Sequence, residues 1–155
     1  MANADYGFFK ELFEELDNYH STSLPTIFKK PLVTFRSLEQ FEGILANDSN
    51  ILLCAEDEQG NISGIIQLII YDIPESIIRI SSKNMKIDNL IVSPKTRRLG
   101  VGKMLVNEAL EEAKRQKVDN IVLDVFSFNH SAIEFYKNIG FIHQVERLSL
   151  SLSNH

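Results

Sequence analysis

Cysteine, tryptophan and long apolar runs are scarce in this sequence, which has one cysteine and no tryptophan among its 155 residues. The single thiol, Cys54, has no internal partner for a disulfide, which fits the reducing conditions of the cytoplasm. The apolar runs are far shorter than the ~20 residues that a membrane-spanning helix needs. The N-terminus also lacks the basic and apolar segments of a secretory signal. We therefore expect a cytoplasmic protein with no membrane segment.

Positive charge is also in deficit, because 16 Lys and Arg residues face 21 Asp and Glu residues and the formal net charge is -5. Broad contact with a nucleic-acid backbone needs a basic face, so we expect no nucleic-acid partner. The exception is local: Lys95, Arg97, Arg98 and Lys103 lie close together beside two glycines. This cluster predicts a small polyanionic ligand.

The length and the hydrophobic content of 44% match a single domain over residues 1–155. Apolar periodicity predicts a first helix around residues 8–19 and a second helix that begins at a capping box of Ser37 and Gln40. Beyond these, the pattern predicts a hairpin of strands 51–56 and 62–71, strands 77–80 and 85–92, helix 100–116, strand 120–126, helix 131–138 and a closing strand 145–152. An irregular segment over residues 72–84 is the alternative to the short strand 77–80. This order predicts an α/β fold with a mixed sheet and helices on both faces.

A glycine-rich loop joins the strand that ends at Val92 to the next helix, and its residues are Arg97-Arg98-Leu99-Gly100-Val101-Gly102-Lys103. Glycines let the backbone approach a ligand, and the free amides of a helix N-terminus attract anions, so a pyrophosphate fits this loop. A P-loop would need glycine at position 97 and Ser or Thr at position 104, where Met104 stands. A dinucleotide fingerprint would need a third glycine at position 105, which is Leu105. Both of these loop types are excluded.

The loop instead matches the pattern Arg/Gln-x-x-Gly-x-Gly/Ala, in which the chain resembles the GNAT superfamily of acetyl-CoA-dependent N-acetyltransferases. A second, independent match is Asn129-His130-Ser131-Ala132-Ile133-Glu134-Phe135-Tyr136-Lys137-Asn138-Ile139-Gly140-Phe141, which resembles the family's Asn-x-x-Ala-x-x-x-Tyr-x-x-x-Gly-Phe helix. The resemblance is sharp over residues 85–145. It implies a mostly antiparallel central sheet whose strands 85–92 and 120–126 splay apart near a bulge, with acetyl-CoA in the gap.

The resemblance also implies which residues contact the co-substrate and which reaction follows. The expected activity is transfer of the acetyl group to a primary amine of a small molecule or peptide by direct attack. The resemblance does not identify the acceptor, and a homodimer is expected from it alone. The implied cofactor-binding residues are Leu90, Ile91 and Val92 through their main chain, the loop residues Arg97, Arg98, Leu99, Gly100, Val101, Gly102 and Lys103, and Asn129, Ser131 and Tyr136.

Two residues are candidates for catalysis. Tyr136 resembles the family's general acid, since a phenol can donate a proton to a leaving thiolate. Asp88 stands where many members carry Glu, and as a shorter side chain it would act as a base through water. The alternatives are that Tyr136 is a core residue, that Asp88 is a structural carboxylate, and that Asn129 only caps its helix.

No metal site is predicted, because the four histidines show no metal-ligand spacing. The departure at Asp88 leaves a second class of function open. The chain would then be a non-catalytic acyl-CoA-binding regulatory or interaction module.

Overall fold

The computed structural model describes residues 3–29, 36–150 and 152. Its contacts divide the chain into two units, residues 1–124 and residues 125–155. Within the described residues, the first unit contains three α-helices and a four-stranded sheet, and the second contains one α-helix. None of the described helices combines the length and the apolarity that crossing a bilayer would require. The assignment of residues 1–155 to one domain stays a prediction.

The first two helices are α1 (Asn3–Ser23) and α2 (Leu38–Ala46). The predicted capping box at α2 is confirmed: Gln40 N donates to Ser37 Oγ at 3.3 Å and Ser37 N donates to Gln40 Oε1 at 2.9 Å. Apolar side chains on one stripe of each helix are buried, including Phe9, Phe13 and Phe41. Phe9 lies 4.3 Å from both Phe13 and Phe41 between ring centroids. These aromatic rings fix α1 and α2 on one side of the sheet.

The sheet has the order β1-β2-β3-β4, formed by Asn50–Glu56, Ile62–Ile73, Ser82–Val92 and Asn120–Leu123. The first three strands are antiparallel, and β4 runs parallel to β3. The parallel pair requires a long crossover connection, which contains the helix α3 (Val101–Arg115). The predicted mixed and mostly antiparallel sheet is confirmed.

Helices cover both faces of this sheet. Neighbouring residues of β2 point to opposite sides, so they contact different helices. Ile65 and its partner Ile91 are buried in one cluster with Phe9, Leu12 and Phe13 of α1. Gly64 faces the other way, where a Cβ atom would lie 3.0 Å from side-chain atoms of Val101 and Leu105 in α3. The glycine lets α3 approach β2 closely. It therefore sets where α3 begins over the sheet.

Three sequence expectations are corrected by the structure. The segment 77–80 forms no strand; Ser76 and Arg79 make one isolated bridge, and Ile77, Ile78 and Ile80 are exposed. The strand predicted over 120–126 ends at Leu123. The segment 145–152 forms no strand over its described residues 145–150 and 152, and its apolar side chains are exposed. Alternation shows that a strand is compatible with a sequence, but a strand also needs a backbone partner.

The second unit contains the helix α4 (His130–Ile139), close to the predicted span of 131–138. Asn129 begins it as the N-cap, and Gly140 ends it in the left-handed region with φ 118°. The N–H groups of Gly140 and Phe141 both donate to the carbonyl of Tyr136, at 3.2 Å and 3.1 Å. These contacts close the last turn of the helix.

Candidate active site

The loop between β3 and α3 is held to the sheet at its beginning. Ser93 N donates to the carbonyl of Ser63 at 2.9 Å, and Thr96 Oγ1 donates to the same oxygen at 3.1 Å. A short 3₁₀ turn, Pro94–Thr96, follows Ser93 and carries the chain off the strand. The sheet thus fixes where the glycine-rich loop starts.

The loop reaches α3 through two residues with positive φ. Arg98 has φ 63° and Gly100, the residue before the helix, has φ 89°. Glycine adopts this conformation without the steric penalty of a Cβ atom. The first helical hydrogen bond of α3 runs from Met104 N to the carbonyl of Gly100, at 3.0 Å. The left-handed Gly100 therefore turns the chain directly into the first turn of α3.

The amides of this first turn are available to a ligand. Among the described residues, no carbonyl or side chain accepts a hydrogen bond from the N–H of Val101, Gly102 or Lys103. Such amides carry the positive end of the helix dipole. Arg98, just before this turn, and Lys103, within it, both have exposed side chains. Together, these groups make the start of α3 cationic and rich in hydrogen-bond donors, which is the chemistry that suits an anion.

Arg97 is held differently from these two cations. Its Nε donates to the carbonyl of Val92 at 3.1 Å, and its Nη2 makes an ion pair with Glu15 of α1. The loop arginine of the predicted motif is therefore engaged with the protein on two sides.

A bulge interrupts the pairing of β3 with β2. Gln67 pairs with Asn89 and Leu68 pairs with Ile87, so Asp88 is the extra residue on β3. On its other side, β3 pairs with β4 only as far as Ile87, opposite Leu123. In the described part of the first unit, no strand continues this pairing beyond the bulge. The bulge and the end of the parallel pairing therefore coincide at Asp88.

The main-chain groups of β3 beyond the bulge alternate in direction. Because Ser93 N donates to Ser63 O across the ladder, the alternation of an antiparallel pair also turns Ile91 toward β2. Leu90 and Val92 consequently point their N–H and C=O groups away from β2. The bond from Arg97 to the Val92 carbonyl agrees with this direction. Of the three predicted main-chain ligands, Leu90 and Val92 have groups on the side where β4 has ended.

Asp88 lies in a small charged cluster. Lys86 Nζ is 3.3 Å from Asp88 Oδ1 and 3.3 Å from Asp124 Oδ2. Burial lowers the pKa of Lys86, but the hydrogen bonds and charges of both carboxylates outweigh it and raise the pKa above its ordinary value. The Asn89 side chain also donates to Asp88 Oδ2 at 3.1 Å and to the buried Gln67 at 3.0 Å. The Asp88 carboxylate is therefore already bonded to both Lys86 and Asn89.

The second unit holds the other predicted site residues. Asn129 Oδ1 accepts hydrogen bonds from Ala132 N at 3.2 Å and from Ser131 Oγ at 3.1 Å, so the predicted cap is present. Tyr136 lies edge-on to Phe135 and Phe141, with ring centroids 5.1 Å and 5.5 Å away. Burial raises the pKa of Tyr136 to about 12. Its hydroxyl therefore keeps its proton at physiological pH.

Sequence reasoning missed three residues of the first-unit site: Glu15, Lys86 and Asp124. Lys86 had a signal, since residues two apart on a strand share a face and Lys86 precedes Asp88 by two. Asp124 follows β4 directly, at the edge where the parallel pairing ends. Glu15 had no sequence signal, because it lies 82 residues before Arg97.

Comparison with known proteins agrees with this architecture. The family model described as the acetyltransferase (GNAT) family matches residues 9–141. The chain therefore belongs to the GNAT acetyltransferase family. A curated relative, an uncharacterised N-acetyltransferase of Dictyostelium discoideum, is 38% identical over 60 residues, which are 39% of this chain and 28% of that protein. The match thus spans less than a third of that relative's length.

Solved structures are similar in fold at low sequence identity. A mutant of the BH1408 protein from Bacillus halodurans has a TM-score of 0.89 at 24% identity, over 97% of this chain and 95% of that one. An acetyltransferase from Trypanosoma brucei has a TM-score of 0.62 at 19% identity, over 92% of both chains. The aminoglycoside N-acetyltransferase AAC(6')-Iy, solved with CoA, has a TM-score of 0.70 at 17% identity, over 100% of this chain and 97% of that one. These likenesses show the shared fold.

Proposed function

We propose that the protein transfers the acetyl group of acetyl-CoA to a primary amine of a small molecule or peptide. The observation that carries this proposal is the start of α3, where three amides have no acceptor among the described residues and Arg98 and Lys103 have exposed cationic side chains. A diphosphate has the charge and the acceptor oxygens to satisfy this site. Acetyl-CoA would supply an activated thioester at the far end of the arm that leads away from this diphosphate.

The main chain of β3 would position the rest of the co-substrate. Leu90 and Val92 face the side where β4 has ended, so they can bond to an amide-rich arm as a neighbouring strand would. An N–H group on this side would also stabilise the negative charge that develops on the carbonyl oxygen. Ile91 was also predicted to bind the co-substrate through its main chain, but its N–H and C=O groups point toward β2 instead.

Tyr136 would donate a proton to the leaving sulfur, and Asp88 would accept one from the amine through water. As the amine nitrogen forms its bond to the acetyl carbon, the carbon–sulfur bond breaks and the sulfur takes a proton from the Tyr136 hydroxyl. A phenol with a pKa of about 12 gives up that proton only as the thiolate forms, and recovers it from water. The ammonium proton would pass through water toward Asp88. The ion pair with Lys86 keeps that carboxylate in place.

Two measurements test the proposal in sequence. Calorimetry should detect CoA binding to the purified protein, and a thiol-release assay over a panel of primary amines should detect turnover with acetyl-CoA. No heat of binding at millimolar CoA would overturn the proposal entirely. Homodimerisation and a cytoplasmic location stay predictions.

A second candidate function, a non-catalytic acyl-CoA-binding module, is favoured by one observation. Lys86 already forms an ion pair with Asp88, whose carboxylate is the group proposed as the base. This candidate predicts thermal stabilisation by acetyl-CoA without thiol release for any amine in the panel. Turnover with any one amine would exclude it.

A further inference from the structure

The first helix and the glycine-rich loop are joined by one ion pair between residues that are 82 positions apart. Glu15 projects from the middle of α1, and Arg97 begins the turn that leads to Gly100. The same guanidinium donates from Nε to the carbonyl of Val92. Arg97 therefore connects α1, the end of β3 and the loop.

The position of this contact gives it a role in shaping the loop. Arg98, the next residue, has a positive φ that residues other than glycine rarely adopt. Such a conformation persists where the surroundings hold it in place. Thr96 is fixed to Ser63 on one side of this point, and α3 begins on the other. The contacts of Arg97 lie between these two anchors and restrain the loop just before the turn.

The three cations of this region differ in what they contact. Arg97 is bound to protein acceptors through two of its nitrogens, while Arg98 and Lys103 extend from the exposed loop and first turn. A guanidinium held by two acceptors is suited to fixing geometry. The charge for a ligand phosphate can then come from Arg98, Lys103 and the helix amides.

We infer that Glu15 is a positioning residue which, through Arg97, holds the loop in the shape that binds the diphosphate of CoA. This inference rests on the proposed function, because it needs CoA as the ligand. Glu15 touches no substrate and acts on affinity for the diphosphate. A purely competitive contact, in which Glu15 occupies Arg97 until a phosphate displaces it, would have the opposite sign.

The test compares Glu15→Gln with Glu11→Gln by calorimetry with CoA. Both variants remove one negative charge from α1, and Glu11 is exposed one turn earlier on the same helix. We expect the Kd of Glu15→Gln to rise about three- to fivefold, the range of a well-formed surface ion pair. We expect Glu11→Gln to stay within about twofold of the wild type, because exposed charges are screened by solvent. Melting temperatures of both variants show whether the fold is intact.

A double-mutant cycle with Arg97→Gln identifies the route of the effect. If Glu15 acts through Arg97, the double variant has the same Kd as Arg97→Gln alone. Turnover with S-acetylpantetheine, which has no diphosphate, should be equal in the wild type and Glu15→Gln. With acetyl-CoA the KM should rise while kcat stays unchanged.

The other outcomes overturn either the positioning role alone or the proposed function with it. A tighter Kd in Glu15→Gln, a Kd equal to that of the Glu11 control, or effects that multiply in the cycle would each overturn the positioning role and leave the proposed function standing. Loss of turnover with S-acetylpantetheine would do the same, since it would place Glu15 outside the diphosphate contact. A wild-type protein that does not bind CoA would overturn both.

Discussion

Tyr136 is the residue on which the proposed chemistry depends most directly. We predict that Tyr136→Phe lowers kcat at least about a hundredfold, the lower end of what a positioned general acid contributes. The Kd for CoA should change little, since phenylalanine keeps the ring and its contacts with Phe135 and Phe141. Steady-state kinetics by thiol release measures kcat, and calorimetry measures the Kd. The matched control is Tyr71→Phe, an exposed tyrosine of β2. Full activity of Tyr136→Phe on its acceptor would remove Tyr136 from the mechanism.

The pKa of Tyr136 also predicts the shape of the pH profile. An ordinary tyrosine loses its proton near pH 10. Burial raises the pKa of Tyr136 to about 12, so the proton-donating form persists to higher pH. We predict that kcat/KM rises as the amine substrate loses its proton, which for an alkyl amine happens at about pH 10.4, and that no descending limb appears below about pH 10.5. A descending limb below that pH in the wild type, absent at the low residual rate of Tyr136→Phe, would show that the Tyr136 hydroxyl loses its proton near the ordinary pH and would contradict its raised pKa.

At the scale of the secondary-structure elements, the start of α3 depends on one backbone conformation. Gly100 has φ 89°, and a Cβ atom added there would meet nothing within 4 Å. Gly100→Ala therefore costs about 1 kcal/mol of unfolding free energy through the backbone alone. Because relief of this strain would displace the first-turn amides, the Kd for CoA should rise as well. Chemical unfolding and calorimetry measure the two effects.

Gly43 provides the matched control, because it also has open space around it but lies inside α2 with an ordinary helical φ. Gly43→Ala should stabilise the protein by about 0.5–1 kcal/mol, since alanine is the better helix former. The same substitution is thus expected to have opposite signs at the two positions. A stabilised Gly100→Ala variant with unchanged CoA affinity would show that the left-handed turn is not needed.

The elements that sequence predicted well are those whose signals are local. The turn chemistry of residues 93–102 and the apolar stripe of α3 lie within one stretch of chain, and this stretch adopts the predicted strand, loop and helix. The capping box of α2 is likewise contained in four residues. The strand predicted over residues 145–152 was wrong for the described residues 145–150 and 152, because alternation gives no information about a pairing partner. Local pattern therefore predicts an element's type better than its partner.

The candidate site likewise contains features that local sequence predicts and contacts that only the folded chain creates. The cationic loop could be found from spacing, but the ion pair of Glu15 with Arg97 joins distant parts of the chain. The contact of Lys86 with Asp124 depends on the register of β3 and β4, which only the folded sheet provides. These contacts modify the sequence-based roles of Arg97 and Asp88. Charge clusters show where an anion can bind, whereas the fold decides which charges are free to bind it.

At the scale of the whole molecule, two electrostatic effects oppose each other. The net charge of -5 repels an anionic ligand at long range, while Arg98, Lys103 and the first-turn amides attract it at contact distance. Salt screens charges beyond about 10 Å at 0.1 M ionic strength, so it removes the repulsion first. Contacts made within hydrogen-bond distance are weakened less.

Lys103 and Lys114 allow this balance to be tested, because they lie near opposite ends of α3 and each variant to glutamine removes one positive charge. We predict that Lys103→Gln raises the Kd for CoA about three- to tenfold at low salt, since it removes a cation at the phosphate site. Lys114→Gln, which loses only an exposed ion pair with Glu111, should stay within about twofold. Raising the salt concentration should narrow the difference between the two variants as the lost charge becomes screened. Equal effects of both variants at every salt concentration would mean that net charge alone attracts the ligand, and that the start of α3 is not its binding site.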